Sequence, residues 1–393
     1  MSHLAIRTSS LSEIANRSML GFGKTAQGLS STVVITQTSL YAGAITTGFN
    51  SELNGFLSDL TAKRIDLQQR VDAALKANPS FKGLRGSGVS LAWEYEYAEV
   101  RMGGRGSVEG GWTDSEIAQM KSDPSHPRPK VYDPELGVER TPEGHHIKNV
   151  ADHPEHQANP DNIRIYRTRD EHRNKGHGGS FNNESDGEFI DRDKRLRDTN
   201  RTRVVKNELQ GLAMAAGIGF LVGFSVSAIS ELAQKGIKSV DITELLVKSA
   251  VSGLESAALA AVGYGVSRAA TNLLTDLGVN VVSEAGYYLN ASVVGITSII
   301  LVSVYQYAKL RYNGVERGDA LGIVLKQAAF SLVILAVSII VQGAYGGAAG
   351  IIVSTSIGLV YLGYNVVKSV QKRKFEERLR VYTIEQYRRI ILC

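Results

Sequence analysis

Cysteine is almost absent from this chain, since the one cysteine among its 393 residues is Cys393. A disulfide framework and a zinc site built from thiolates are therefore excluded, and any metal must be bound by histidine with carboxylate or amide oxygen. The first thirty residues also lack the pattern of a cleavable signal peptide, a basic stretch followed by an unbroken apolar run. We therefore expect the N-terminal half to lie in the cytoplasm, and the scarcity of cysteine fits that reducing compartment.

Charge is scarce in only one half of the chain. The mean hydropathy of −0.09 averages an apolar region, 207–370, with a preceding region rich in His, Asp, Glu, Arg and Lys. This contrast indicates two different solvents. It predicts four parts, which are an N-terminal cytoplasmic α+β region at 1–135, a histidine-rich unit with a basic collar at 136–206, a transmembrane helical bundle at 207–370 and a basic amphipathic tail at 371–393.

Short patterns predict the elements of the N-terminal region. Apolar residues at three-to-four spacing within 51–78 predict an amphipathic helix, and the β-branched run at 32–36 predicts a strand or a packed N-terminal segment. Trp93, Tyr95 and Tyr97 alternate with glutamates, which predicts a strand. Its aromatic row would pack against a neighbouring layer or, alternatively, stack on nucleic-acid bases.

Four apolar stretches of about 20 residues are long enough to cross a bilayer, and they lie at 209–232, 287–308, 320–342 and 346–368. Cations lie between the second and third stretches and after the fourth, and the positive-inside rule places both groups in the cytoplasm. With the N-terminal half also cytoplasmic, only one of 209–232 and a fifth stretch, 242–272, can cross fully. We predict that 209–232 crosses. The tail is predicted to be a cytoplasmic amphipathic helix under the bundle or, alternatively, a nucleic-acid contact.

The fifth stretch, 242–272, is amphipathic, with Glu244, Lys248, Ser252 and Glu255 at helical spacing on one face. Ionisable groups facing lipid are costly, so such a helix lies in the interface or lines a water-filled cavity. These four residues are our pore candidates. Further polar residues within the spans favour a channel or pore, formed by an oligomer, over a simple anchor: Asn290, Gln306, Lys326 and Gln327.

The strongest local pattern consists of three pieces, Glu143-Gly144-His145-His146, Asn159-Pro160-Asp161-Asn162, and a third piece from Glu171 through His172 to His177. They resemble the GHH branch of the HNH nuclease superfamily. The resemblance implies a ββα unit that holds one divalent metal ion, zinc or magnesium. It implies His145 and His172 or His177 as metal ligands, His146 as general base and Asn162 as the residue that orients the base.

The chemistry is reasonable at this spacing, because neighbouring residues of a strand point to opposite faces, and a neutral imidazole can take a proton from water. Activity stays open for two reasons. His172 and His177 are five residues apart rather than four, and other side chains offer competing ligands: Asp152, His153 and His156.

A scaffold of this kind also binds nucleic acid without cutting it, because cations contact the phosphate backbone regardless of catalysis. The candidates for this contact include the basic collar before the first span, and they are Lys148, Arg164, Arg169, Arg173, Lys175, Arg195, Arg197, Arg201 and Arg203.

Together these features predict an α+β soluble domain with an HNH-like ββα-metal unit, joined to an all-α transmembrane helix bundle of about four spans and one amphipathic helix. The layout resembles membrane effectors of bacterial antiphage defence, in particular the Hailong effectors. That resemblance implies an oligomeric ion channel of the bacterial inner membrane, gated by single-stranded DNA or another oligonucleotide bound to its cytoplasmic unit. It also implies a nucleotidyltransferase partner that makes the oligonucleotide, and growth arrest as the outcome. One alternative is a membrane-anchored, metal-dependent HNH DNA endonuclease; another is a membrane protein with an inactive HNH appendage.

Overall fold

The computed structural model describes residues 2–125, 127–180, 187–235, 239–281 and 283–345, together with separate positions between 353 and 387; residues 2–30 are described by their main chain only. Helices dominate these residues. The chain divides into two compact units. Gly48–Lys206 is called the histidine unit below, and Met1–Thr47 with Asn207–Cys393 is called the membrane unit.

Helix α1, Ser2–Ala77, contributes residues to both units. The helix predicted at 51–78 is confirmed as its C-terminal part, where Leu60 and Val71 are buried. The strand alternative for 32–36 is wrong, because this run belongs to α1 and packs with Ile35 fully buried. β-branched residues disfavour a helix only slightly, and tertiary burial offsets that preference.

Helix α2, Arg85–Arg101, occupies the stretch predicted as a strand at 93–97, so that prediction is wrong. Alternation indicates a strand only when the polar residues face water, whereas Glu96 is fully buried beside Trp93 and Tyr95. Most of α2 is buried, and its aromatic residues pack in the protein core rather than in an exposed row. Helix α3, Asp114–Ser122, follows and begins with a reciprocal capping box between Thr113 and Glu116.

A buried ion pair holds the centre of the histidine unit together. Arg192 begins helix α5, Arg192–Lys235, and its guanidinium lies 2.7 Å from the carboxylate of Glu96. Arg192 also donates to the main-chain oxygens of Pro160 and Ile163 at 2.9 and 2.8 Å. Burial alone would raise the pKa of Glu96, but the Arg192 guanidinium holds it below its usual value. Arg192, which directly precedes the predicted basic collar, is therefore a core residue.

The described strands form two antiparallel pairs, β1 (Val131–Asp133) with β2 (Val138–Arg140), and β3 (Glu143–His146) with β4 (Ile163–Tyr166). Helix α4, Arg169–Glu171, follows β4 and continues directly into a single π-helical turn, His172–Gly176. The chain order around the histidines is therefore strand, loop, strand and short helix.

Four helices of the described chain are long and apolar enough to cross a membrane. They comprise Arg192–Leu232 of α5, the whole of α6 (Ile242–Asp276), Ala285–Tyr312 of α7 (Glu284–Tyr312) and Arg317–Val341 of α8 (Arg317–Tyr345). The predicted stretches 209–232 and 287–308 lie within α5 and α7, and 320–342 lies in α8. Helix α6 contains 242–272, so it is a candidate crossing where the charge argument predicted an interfacial or cavity-lining helix.

Two further predictions concern segments that lie mostly outside the described residues. The predicted span 346–368 lies almost entirely outside the described residues. Of the predicted tail, 377–387 is helical, and most of the remainder lies outside the described residues.

The membrane unit exposes large apolar side chains and buries several polar ones among its apolar clusters. Amide side chains lie in its interior, where Gln306 and Gln327 are each 1% exposed. Its surface carries large apolar side chains that are more than half exposed, including Leu221, Val247, Leu254, Ile300 and Val333. A water-soluble protein rarely exposes so much contiguous apolar surface, whereas lipid solvates it well. Four apolar helices with this arrangement indicate a membrane-embedded protein.

Small residues allow α5 and α6 to approach closely. A Cβ atom on Gly223 would lie 2.3 Å from the Ser256 hydroxyl and 2.6 Å from the Ser252 carbonyl, and one on Gly219 would lie 2.8 Å from the Ser256 carbonyl. The Gly219–Gly223 pair therefore forms the contact surface of α5 with α6, as small residues four apart do in membrane helices.

Candidate metal centre

Three histidines converge beside the β3–β4 pair. His145, His172 and His177 each offer a ring nitrogen, and these atoms lie within 4.8 Å of one another. Nδ1 of His145 and Nε2 of His172 are 3.0 Å apart. The rings of His145 and His177 meet edge to face, with centroids 4.6 Å apart. The cluster could therefore hold one metal ion.

The π-helical turn explains how two histidines five residues apart reach the same point. An α-helix places residues three or four apart on one face, whereas a π-turn places residues five apart there. His172 opens the turn at His172–Gly176, and His177 follows directly after it. A Cβ atom on Gly176 would lie 3.0 Å from the His172 ring and 3.1 Å from the Tyr166 ring, so glycine provides needed room. The sequence left His172 and His177 as alternatives, and the fold brings both to His145.

A carboxylate orients one of the three imidazoles. Oε2 of Glu143 accepts a hydrogen bond from Nδ1 of His172 at 2.6 Å. A carboxylate can only accept, so Nδ1 carries a proton, and in the neutral form of the ring the lone pair of Nε2 is directed towards His145. Metal-binding histidines commonly have such a partner, which fixes the tautomer of the ring. Glu143 belonged to the motif in the sequence, but only the register of β3 shows this role.

The electrostatics of His145 suit a metal ligand. Burial, with smaller contributions from His172 and His177, lowers the pKa of His145 to about 3. Its ring is therefore neutral at physiological pH, as a metal ligand must be. Its Nε2 is buried and has no hydrogen-bond partner within the described residues. Three imidazoles, one of them oriented by a carboxylate, fit a divalent ion such as zinc, which binds histidine nitrogen readily.

His146 points to the other face of β3 and has a different environment. Its Nε2 lies 3.0 Å from the main-chain oxygen of Gln157. A carbonyl only accepts, so Nε2 carries the proton and Nδ1 is the acceptor nitrogen of the neutral ring. Burial lowers the pKa of His146, which keeps this ring neutral too. The arrangement fixes the tautomer and direction of a candidate general base.

Asn162 positions the loop between β3 and β4. Its side-chain oxygen accepts from the main-chain N–H of Lys148 at 2.6 Å, and its amide nitrogen donates to the carbonyls of Lys148 and His156 at 3.0 and 3.2 Å. These bonds fix a loop that includes the Gln157 carbonyl facing His146. Asn162 therefore acts on the orientation of His146 through the loop that carries the Gln157 carbonyl.

The competing candidate ligands make their contacts outside the three-histidine cluster. His153 and His156 are partly exposed, and both face Glu155 at 3.4 and 3.6 Å. Asp152 accepts a hydrogen bond from the side chain of Asn149 at 2.5 Å. The structure places them in the β3–β4 loop, outside the three-histidine cluster.

The predicted phosphate contacts divide into two groups. Four of them pair with carboxylates within the histidine unit: Arg173 with Glu135 and Asp170, Lys175 with Glu109, Arg195 with Glu99, and Arg203 with Glu52. Such pairing competes with phosphate, so these side chains are weaker candidates. Lys148 and Arg164 are half-buried, whereas Arg169, Arg197 and Arg201 are exposed. Arg197 and Arg201 have no ion-pair partner in the described part of the chain, which leaves them available to polyanions.

The four pore candidates do not share one environment. Glu244 and Lys248 are exposed and pair with each other at 2.6 Å, in a cluster with Glu231 and Lys235 near the start of α6. Glu255 pairs with Lys309 and Tyr305 of α7. The Ser252 carbonyl lies at the contact with Gly223. The sequence treated them as one polar face, but the fold assigns them to separate contacts.

Sequence reasoning missed, as a set, some of the buried polar groups of the membrane unit. These belong to Gln37 of α1, Gln306 of α7, and Gln327 and Ser331 of α8. Gln306 and Gln327 were visible as polar residues within apolar spans, but nothing in the sequence indicated that Gln37 of α1 would be buried in the same unit. No protein-family model, curated protein or solved structure matches the chain.

Proposed function

We propose that the chain is a membrane-anchored, metal-dependent endonuclease of the HNH type, whose histidine unit cuts DNA. One observation carries the proposal. Three imidazoles converge on a point that could hold a metal, while the neighbouring His146 lies on the other face of β3 with its proton fixed on Nε2. The order of β3, β4 and the short helix supports the same conclusion, because it is the order that the HNH resemblance implies.

The residues have separable roles in this proposal. His145, His172 and His177 would hold the ion, and a bound divalent ion would neutralise charge on a scissile phosphate. His146 accepts a proton from the attacking water at Nδ1, because its Nε2 donates to Gln157. Three ligands leave a coordination position open, which distinguishes a catalytic from a structural zinc site.

The partly exposed side of the site can receive substrate. His172 and His177 are only partly buried, so the cluster is accessible from one side. Exposed cations of the histidine unit, such as Arg197 and Arg201, supply sequence-independent attraction to the phosphate backbone. The proposed substrate is therefore DNA of no particular sequence.

A nicking assay on the purified full chain in detergent tests the proposal. Supercoiled plasmid should be nicked with Zn²⁺ or Mg²⁺, and His146→Ala should slow nicking by about 10²–10⁴-fold, the usual contribution of a general base. His153→Ala is the matched control, since that histidine is partly exposed and faces Glu155; its rate should equal that of the unchanged chain. Absence of nicking by metal-loaded protein, or an unaffected rate in His146→Ala, would refute the proposal.

A second candidate function is an oligomeric ion channel gated by an oligonucleotide bound to the histidine unit. The specific observation in its favour is the polar interior of the membrane unit, which an anchor would not require. The candidate retains the resemblance to antiphage membrane effectors, with a nucleotidyltransferase as the source of the oligonucleotide. Liposomes that contain the chain should show a flux of monovalent cations, followed with a cation-sensitive dye. Addition of single-stranded DNA should switch this flux on or off. A flux that is absent with and without oligonucleotide would exclude it.

Both candidates place the histidine unit in the cytoplasm of a bacterial cell, with the helices in the inner membrane. The exposed Arg197 offers a reporter position for this orientation. After Cys393→Ser removes the native thiol, Arg197→Cys should resist a membrane-impermeant maleimide in intact spheroplasts and react after lysis. Reaction in intact spheroplasts would place the unit outside.

A further inference from the structure

Part of helix α1 is polar, uncharged and buried. Residues 25–51 contain no Asp, Glu, Lys, Arg or His but many Ser, Thr, Gln and Gly, and α1 is not among the four candidate crossings identified by length and composition. Within 31–40, every described side chain is buried. A segment buried on all sides faces neither lipid nor water, so its hydropathy does not report which solvent surrounds the bundle. Its packing contacts do.

The candidate crossings α5 and α6 approach α1 closely through glycine. A Cβ atom on Gly211 of α5 would lie 2.9 Å from the Cβ atom of Ala42, and one on Gly263 of α6 would collide with the Ile35 side chain. Ile35 also clusters with Ala215 of α5. Gly211 and Ala215 both belong to the apolar stretch of α5. This part of α1 therefore lies at the depth of the apolar part of a crossing helix.

The other two candidate crossings also pack with α1. Ile35 clusters with Val302 of α7, and Leu40 clusters with Ile299 of α7 and Leu335 of α8. From Leu40 back to Ile35, the partners advance from Ile299 to Val302, so α1 and α7 run antiparallel. Helix α1 is therefore the inner helix of the membrane unit, packed with all four candidate crossings.

A polar cluster marks one end of the embedded part of α1. The Thr46 hydroxyl donates to the Glu208 carboxylate at 2.7 Å, and the Asn207 amide donates to the Ala42 carbonyl at 2.9 Å. Arg268 of α6 pairs with the same carboxylate at 2.8 Å. Glu208 directly precedes the apolar stretch of α5, and charged groups of crossing helices concentrate near helix ends, where they reach the interface. Thr46 therefore lies near one surface of the membrane.

The rest of α1 is long enough to reach the other surface. At 1.5 Å per residue, the helix from Thr46 back to Thr25 is about 32 Å long, and the hydrocarbon core of a bilayer is about 30 Å thick. The helix is unbroken over this range and continues to Ser2. The first charged residue in that direction is Lys24, whose long side chain can extend to the interface. A straight helix that enters the bundle at one surface and does not turn back leaves it at the other.

We propose that α1 is a fifth membrane-crossing helix, with residues 25–46 at membrane depth and residues 2–24 on the side opposite to Gly48. Its polarity agrees with an inner position, because polar residues within membrane bundles face the bundle interior rather than lipid. The inference concerns the path of the chain and goes beyond the nuclease proposal. It holds whichever side of the membrane is the cytoplasm.

Single-cysteine labelling of the full chain tests the proposal, with Cys393→Ser as the starting variant. Ser51→Cys places a reporter just beyond Thr46, at an exposed position, and Ser12→Cys places one beyond Lys24. In spheroplasts, a membrane-impermeant maleimide should label one of the two reporters before lysis and the other only after lysis. If the histidine unit is cytoplasmic, Ser12→Cys is the reporter that reacts in intact spheroplasts.

Two further variants control for local effects at the reporters. Ser39→Cys is the matched control at membrane depth, because that serine is fully buried. It should resist the maleimide before and after lysis and react only in denaturing detergent. Ser9→Cys is a second reporter on the same segment as Ser12→Cys, and it should react from the same side.

Labelling of Ser12→Cys and Ser51→Cys from the same side would overturn the proposal. Failure of both Ser9→Cys and Ser12→Cys to react before denaturation would also overturn it, as would reaction of Ser39→Cys in intact spheroplasts. Reaction of Ser51→Cys in intact spheroplasts, with Ser12→Cys reacting only after lysis, would keep α1 as a crossing helix. That pattern would instead contradict the cytoplasmic position of the histidine unit in both candidate functions.

Discussion

Replacing Glu143 with glutamine tests whether the three histidines are a metal centre. The Glu143 carboxylate lies 2.6 Å from Nδ1 of His172, and Nε2 of that ring lies 3.0 Å from Nδ1 of His145. Glutamine has nearly the same size and retains one oxygen acceptor. The change therefore removes the charge that orients and polarises His172 while keeping the shape of the site.

The expected magnitude follows from the hydrogen bond. A bond to a charged group contributes about 1.5–3 kcal/mol net and a neutral one about 0.5–1.5 kcal/mol, so the change costs about 1–1.5 kcal/mol of metal binding. That corresponds to about a tenfold weaker affinity, at the lower end of the 10–100-fold that partners of metal-bound histidines typically contribute.

Competition with a chromophoric chelator measures the zinc affinity of the full chain in detergent, and the visible spectrum of bound Co²⁺ reports the ligands. Since the triad contains no thiolate, the Co²⁺ spectrum should lack sulfur charge-transfer bands. Glu155→Gln is the matched control, because that carboxylate faces His153 and His156 instead. The reasoning fails if Glu143→Gln binds zinc as tightly as the unchanged chain, or if Glu155→Gln loses as much affinity.

Four further predictions concern stability. Arg192→Met should destabilise the histidine unit by about 3–5 kcal/mol in chemical denaturation, because it leaves Glu96 charged and buried, and adding Glu96→Gln should recover part of the loss. The pKa of Glu96 lies below its usual 4.5 in the folded chain. Its carboxylate therefore contributes to the free energy of unfolding above that pH, and this contribution is lost as the pH falls through the folded pKa. An acid titration of unfolding midpoints should show this loss, and Glu96→Gln should flatten it. Asn162→Ala should cost about 2–3 kcal/mol by denaturation, because it leaves main-chain groups of the loop unsatisfied. Gly223→Leu should lower the unfolding temperature of the membrane unit, followed by helix circular dichroism, because a Cβ atom there collides with Ser256; an unchanged temperature would contradict the packing described.

Hydropathy and helical spacing are local properties, and they predicted the apolar helices at 209–232, 287–308 and 320–342 and the helix at 51–78. The strand at 93–97 failed because alternation identifies a strand only if one face is wet, and Glu96 is buried against Arg192 instead. The positions of polar residues could be read along each span, but their relation across helices could not.

For the candidate site, the histidines and their approximate spacing in the sequence already indicated a metal site. The five-residue interval between His172 and His177 stayed ambiguous, because a π-turn is rare and is stabilised here by packing of Gly176 against two rings. Pairing with carboxylates also makes several of the predicted phosphate contacts weaker candidates. Several of those cations meet carboxylates distant in the chain, as Arg195 meets Glu99.

The sequence by itself determined which segments are apolar enough for lipid and which residues can bind a metal, because both depend on the chemistry of neighbouring side chains. Only the tertiary structure decided that His145 meets both downstream histidines, that Glu143 orients one of them, and that Arg192 pairs with Glu96 in the core of the histidine unit. These are contacts between residues far apart in the chain. Their formation depends on packing free energy summed over whole helices and strands, which no single segment contains.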